Sequence, residues 1–161
     1  MAGSGSPTQG QHGSGLDATG LRIAIVHGRW HEQIATALLE GARRALAEMG
    51  AEVLELPVPG SFELPVVAQA ALEAGADGAV ALGVIIRGGT PHFEYVSDAA
   101  TSGLTQVSIQ TGKPVGFGVL TLDDEKQGLD RAGLAGSKED KGREAAEAVV
   151  EAALALRSLR G

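Results

Sequence analysis

"GAVALGVIIRGGTPHFEYV", residues 78–96, decides how this chain is read. An apolar run, residues 79–86, stops abruptly at Arg87, and Gly88, Gly89, Thr90, Pro91 and His92 follow at once. A short apolar run without polar alternation is a strand buried on both faces. Residues 93–112 then carry a helical pattern that ends at Gly112. A buried strand passing through a glycine turn into a helix is the unit from which parallel sheets are built.

The same alternation extends in both directions. Upstream, "LRIAIV" (residues 21–26) is a short β-branched strand. Ile34, Leu38, Gly41, Ala42, Ala45, Leu46 and Met49 follow at helical spacing. "EVLELPV" (Glu52–Val58) reads as the second strand. Residues 61–75 read as a helix with Ser61 as N-cap and Pro65 in its tolerant first turn. Downstream, residues 114–122 form the fourth strand. Residues 123–133 form a shorter helix, with acids at its start and Arg131 in its last turn, as the macrodipole favours. A linker containing Gly136 and Ser137 leads to a last helix whose apolar positions are Ala145, Ala148, Val149, Ala152, Leu156 and Leu159. Strand and helix alternate throughout, which predicts a parallel sheet covered on both sides. Ligands of such sheets bind beyond the carboxyl ends of the strands.

Composition narrows the function classes. The 161 residues fit one domain, placed at residues 16–161, with a Gly/Ser-rich segment at 1–15 expected to be a flexible tail. Cysteine is absent, which excludes disulfide frameworks and thiolate metal sites. Net charge is −7, and no basic stripe offers the clustered positive charge that nucleic-acid binding needs. The N-terminus lacks the basic and apolar segments of a signal peptide, and no apolar run is long enough to span a bilayer. A cytoplasmic protein without nucleic-acid or membrane partners is expected. His12, His27 and His31 lack the spacing of a metal site.

The residues after each strand carry the chemistry, each with a structural and a functional reading. Trp30, the only tryptophan, is a core or interface aromatic, or a flat platform for a planar ring. In "PGSFE" (residues 59–63), exposed amides at a helix start can bind polar oxygens. Glu63 there favours the helix N-terminus, or accepts from ligand hydroxyls. Gly88 and Gly89 let an anion approach backbone N–H groups, and Thr90 adds a hydroxyl; ordinary strand–helix loops look the same. His92 carries an imidazole that can move protons, or is merely exposed. Arg87 neutralises phosphate or forms an ion pair. Phe117 reads as core on composition. Arg131 is a surface charge or a bidentate phosphate clamp, and Lys141 is ambiguous in the same way. These readings support an α/β domain with a mixed aromatic, histidine and phosphate-type site, and fix no reaction.

Taken together, "VHGRW", "VPGSFELPVVAQ", "LGVIIRGGTPHFEYV", "VGFGVLT" and "LDRAG...DKG" resemble lumazine synthases in order and spacing, over residues 16–160. The resemblance implies a flavodoxin-like three-layer αβα sandwich with a four-stranded parallel sheet of order 2-1-3-4. It implies a cofactor-independent transferase of riboflavin biosynthesis, using neither metal nor organic cofactor. Such enzymes condense 5-amino-6-(D-ribitylamino)uracil with 3,4-dihydroxy-2-butanone 4-phosphate. The product is 6,7-dimethyl-8-ribityllumazine, with phosphate and water released. By the matching motifs, Trp30 stacks on the pyrimidine, and Ser61, Phe62 and Glu63 hold the ribityl chain. Val84, Ile85 and Ile86 line the pyrimidine pocket. Gly89 and Thr90 form the phosphate loop, and His92 transfers protons. Phe117, Arg131 and Lys141 match the contribution of an adjacent subunit, with Arg131 binding phosphate and Lys141 assisting. Gly89 stands where the family usually has a larger residue.

The resemblance also implies a homo-oligomer whose active site is shared between adjacent subunits. The linker before the last helix is longer than in typical sixty-subunit shell formers, so a free pentamer is expected. Other classes on the same scaffold are a noncatalytic lumazine- or flavin-binding protein, a shell-forming protein and a flavodoxin-like electron carrier. His92 and Arg131 argue against the first, since a passive binder needs neither a proton shuttle nor a phosphate clamp. Retention of every site-type residue argues against the second. "HGRWHEQ" lacks the hydroxyl-rich character that the third requires for flavin phosphate.

Overall fold

The computed structural model describes Gly5 and residues 15–160. The tail expected at residues 1–15 therefore lies, apart from Gly5 and Gly15, outside the described residues, as does His12. Strands β1 (Arg22–Gly28), β2 (Glu52–Val58), β3 (Gly78–Ile86) and β4 (Val115–Leu122) form one parallel sheet in the order β2-β1-β3-β4. This is the expected architecture. Helix α1 (Glu32–Met49) follows β1, and a 3-10 turn (Ser61–Glu63) runs into α2 (Leu64–Glu73) after β2. Helix α3 (His92–Thr111) follows β3, and α4 (Glu125–Leu129) and α5 (Lys141–Arg160) follow β4.

Alternation along the strands sorts the core into two layers. Ile23, Ile25, Val80, Leu82, Val84, Leu120 and Leu122 face α1 and α5. Ala24, Val26, Val58, Ala79, Ala81, Ile85 and Val119 face α2 and α3. Successive side chains of a strand point to opposite faces, so one apolar run supplies both layers. Central β3 is buried from Gly78 to Ile85, whereas edge strand β2 is exposed over its first three residues.

Two sequence expectations are corrected here. On α5, Ala148 and Leu159 are exposed and Ala152 and Leu156 only partly buried; the buried face is Gly142, Ala145, Ala146, Val149, Val150 and Ala153. The cause is the crossing with α1, because a Cβ on Gly142 would overlap the Leu38 carbonyl oxygen. The small residues must therefore face α1, and this fixes the helix's rotation. Ser61, expected as an N-cap, instead lies within the 3-10 turn that Gly60 caps, while α2 begins at Leu64 with Pro65 in its first turn.

The β1–β3 pairing stops at His27↔Leu82, while the β3–β4 pairing continues to Ile86↔Leu122. The last four residues of β3 therefore extend beyond the β1 pairing. Helices α1 and α3 leave these neighbouring strands towards opposite faces. That divergence is the topological switch point, where sheets of this kind open a crevice for ligands.

Candidate functional site

The loops after β1, β2 and β3 converge on this crevice. The Arg29 N–H donates to the Pro59 carbonyl at 3.4 Å, tying the first loop to the second. The indole of Trp30 packs against Gly60, with Trp30 Cδ1 3.0 Å from where a Gly60 Cβ would stand. Trp30 is 68% exposed, so the core reading fails, and the interface and flat-platform readings remain. The His31 ring lies 6.5 Å from it, tilted by 49°, and His31 is the only non-glycine described residue with positive φ, at 60°.

Ser61 is buried, and a Cβ on Gly83 would overlap its hydroxyl oxygen. Glycine at position 83 lets the second loop lie directly on β3, which joins it to the strand end. Glu63 Oε1 accepts from the Gly60 N–H at 2.9 Å, closing the turn as the structural reading anticipated. Phe62 is 65% exposed. Val84 and Ile85 are buried in the two opposite core layers, and only Ile86 of the trio is partly open.

Beyond β3, Gly89, Thr90 and His92 are exposed. Thr90 Oγ1 accepts a long bond, 3.4 Å, from the His92 N–H at the start of α3. Arg87 is committed inside the chain. Its Nε donates to Asp123 at 3.1 Å, its Nη1 pairs with Glu94, and its guanidinium lies 4.3 Å from the centre of the Phe93 ring. The hydrogen bonds to Asp123 and Glu94 raise its pKa further. The structural reading of Arg87 therefore holds.

The remaining candidates sit on the β4 side. Phe117 is 48% exposed, against the composition-based expectation of a core residue. Arg131 Nη1 donates to the Gln127 carbonyl at 2.9 Å, at the end of α4, where a cation complements the helix dipole. An antiparallel bridge between Ala132 and Asp140 folds the following loop back, so that Arg131 and Lys141 flank one carboxylate, Glu139. Arg131 and Lys141 are thus brought together. Sequence reasoning passed over Glu139; its only sequence signal is an acid in "EDKG" next to a candidate cation. Among the described residues no group of three or more His, Cys, Asp or Glu could hold a metal ion. None of the described helices is long and apolar enough to cross a membrane.

The family model for 6,7-dimethyl-8-ribityllumazine synthase matches residues 20–157. The chain belongs to that family. It is 66% identical over 161 residues to the 6,7-dimethyl-8-ribityllumazine synthase of Clavibacter michiganensis subsp. michiganensis, covering all of this chain and 99% of that protein. It is 66% identical to the counterpart from Leifsonia xyli subsp. xyli, covering all of both chains. The Streptomyces coelicolor counterpart is 54% identical over 160 residues, 99% of this chain and 97% of that protein. The similarity to these lumazine synthases spans every loop described above.

Proposed function

We propose that the protein condenses 5-amino-6-(D-ribitylamino)uracil with 3,4-dihydroxy-2-butanone 4-phosphate, giving 6,7-dimethyl-8-ribityllumazine, phosphate and water. The observation that carries the reading is the bare Trp30 indole against Gly60, beside a β3 end that outruns its pairing with β1. A planar pyrimidine fits that face, and the 61–63 turn is placed to meet a polyhydroxylated side chain. The exposed Gly89 and Thr90 turn presents backbone N–H groups and a hydroxyl to a phosphate.

The chemistry assigned to these residues is modest. The pyrimidine amine attacks the ketone and expels water to form an imine. Phosphate leaves by elimination to give an enol that becomes a ketone, and the ribitylamino nitrogen attacks that carbonyl and expels a second water as the second ring closes. His92, exposed at the start of α3, exchanges protons with the reacting atoms and with solvent. General acid–base help of this kind is worth about 10²–10⁴-fold. Holding two reactants in register can supply effective molarities of about 10⁵–10⁸ M. Positioning is therefore the larger contribution, and the cleft's flat and polar faces matter more than any single proton donor.

Arg131 and Lys141 are assigned to the phosphate, acting in the site of an adjacent subunit within a pentamer located in the cytoplasm. Phe117, Tyr95 and Ile109 remain exposed apolar surface in the isolated chain, which favours burial against a second copy. Mixing the protein with both substrates and following product fluorescence tests the activity. No product above the uncatalysed rate refutes it. Light scattering reads the assembly, and a monomer with full activity refutes the shared site.

A further inference from the structure

We infer that Glu139 is the positioning residue for the Arg131–Lys141 pair, holding both cations in register for a phosphate monoester; the inference rests on the reading above. The Glu139 side chain is 19% exposed, and its Oε2 has no hydrogen-bond partner among the described residues despite being shielded from water. That oxygen lies 3.7 Å from Arg131 Nε and 3.9 Å from Lys141 Nζ. A buried carboxylate oxygen without hydrogen bonds is unfavourable unless charge compensates it. Here two cations do so from outside hydrogen-bond distance.

The geometry is specific to this loop. The Lys138 and Glu139 N–H groups both donate to the Asp130 carbonyl, and the Lys141 N–H donates to the Arg131 carbonyl at 2.9 Å. The turn that brings Glu139 beneath Arg131 is therefore built by the backbone. Arg131 is anchored a second time through Nη1 on Gln127, and Lys141 by Glu144 Oε1 at 3.5 Å. Without Glu139, two like charges would face each other and swing apart towards solvent. With it they remain close, yet neither spends a short hydrogen bond on the acid. Their N–H groups stay available to an incoming dianion, which carries more charge than Glu139 and competes for them.

The test compares steady-state kinetics of wild type, Glu139→Gln, Arg131→Ala and the double variant, with both natural substrates. Glu139→Gln keeps the side chain's size and removes its charge. It should raise KM for the butanone phosphate about tenfold, leave KM for the ribitylaminouracil unchanged, and lower kcat less than threefold, because a misplaced binding group costs affinity at that group alone. Adding Glu139→Gln to Arg131→Ala should then raise KM no further, since the two act as one unit. Should Glu139→Gln fail to fold, Glu139→Asp keeps the charge but withdraws it, and should give an intermediate KM for the phosphate substrate alone. Equal changes in both KM values, or additive effects in the double variant, would overturn the inference. An unchanged KM in Glu139→Gln beside a raised one in Arg131→Ala would also overturn it. An unchanged phosphate-substrate KM in Arg131→Ala defeats the clamp itself, and with it the reading on which the inference depends.

Discussion

Two regions at the carboxyl edge of the sheet differ in how they treat their side chains. In the loops after β1, β2 and β3, Trp30 and Phe62 stand bare at 68% and 65% exposure, and His92 is open to solvent. In the segment after β4, every candidate cation is matched: Arg131 with Glu139 and Gln127, Lys141 with Glu139 and Glu144. Here the chain leaves aromatic faces empty but pairs the cations that are candidates for phosphate. Flat faces lose little by waiting in water for a planar ligand, whereas clustered like charges repel unless a counter-charge holds them. Arg87 illustrates the rule inside the first region, where Asp123 and Glu94 occupy it.

The largest expected effect comes from breaking the frame on which both regions stand. Gly142→Ala forces a methyl group into the Leu38 backbone at the α1–α5 crossing. Overpacking of this kind should cost about 2–3 kcal/mol of stability, read as a lower urea midpoint with an unchanged slope. A neutral result would show that the crossing is looser than its geometry.

Next, His92→Ala should lower kcat about a hundredfold without abolishing activity, because positioning by the rest of the cleft survives. Complete loss of turnover with both substrates still bound would mean that the open region is a proton-transfer device first and a template second. Trp30→Ala removes the flat face and should raise KM for the ribitylaminouracil about tenfold, in line with the loss of one ring-stacking contact. Little change in KM for the phosphate substrate should accompany it, and equal changes in both would erase the division between the regions.

Two smaller effects sharpen the contrast. Arg87→Met should leave KM for the butanone phosphate within about twofold, because an exposed, internally paired guanidinium contributes little. A large rise would move Arg87 from frame to site. His27, half-buried on β1, has its pKa lowered chiefly by burial, with Arg43 lowering it and Glu55 raising it. The folded state therefore prefers its neutral ring. Its stabilising contribution is complete above the ordinary imidazole value of about 6.5 and is lost as pH falls from there through the lowered folded value. An imidazole NMR titration should place its midpoint below the ordinary value, and denaturation at mildly acidic pH should show less loss in His27→Gln than in wild type.

Much of the fold was legible in the residues. The apolar stretch before Arg87 became β3 over the expected residues, Glu52–Val58 became β2, and Gly112 ended α3 in the left-handed conformation that glycine favours. Period-two and period-3.6 patterns survive translation into structure because burial enforces them. The alanine-rich α5 was misread because alanine barely distinguishes inside from outside; contact with α1 chose its face. The site was legible as a set of loops through family resemblance, since each motif follows a strand.

What the sequence determined alone was the order of strands and helices and the chemical types delivered to one edge of the sheet, because local periodicity and glycine or proline punctuation are written residue by residue. Only the tertiary structure decided which of those groups are spent and which are free. Arg87 is consumed by acids 7 and 36 residues away, Ser61 is seated on β3 by the missing side chain of Gly83, and Glu139 is folded between Arg131 and Lys141. Pairing of charges and close approach of backbones depend on distances in space, and no spacing along a chain encodes them before the sheet and its loops have closed.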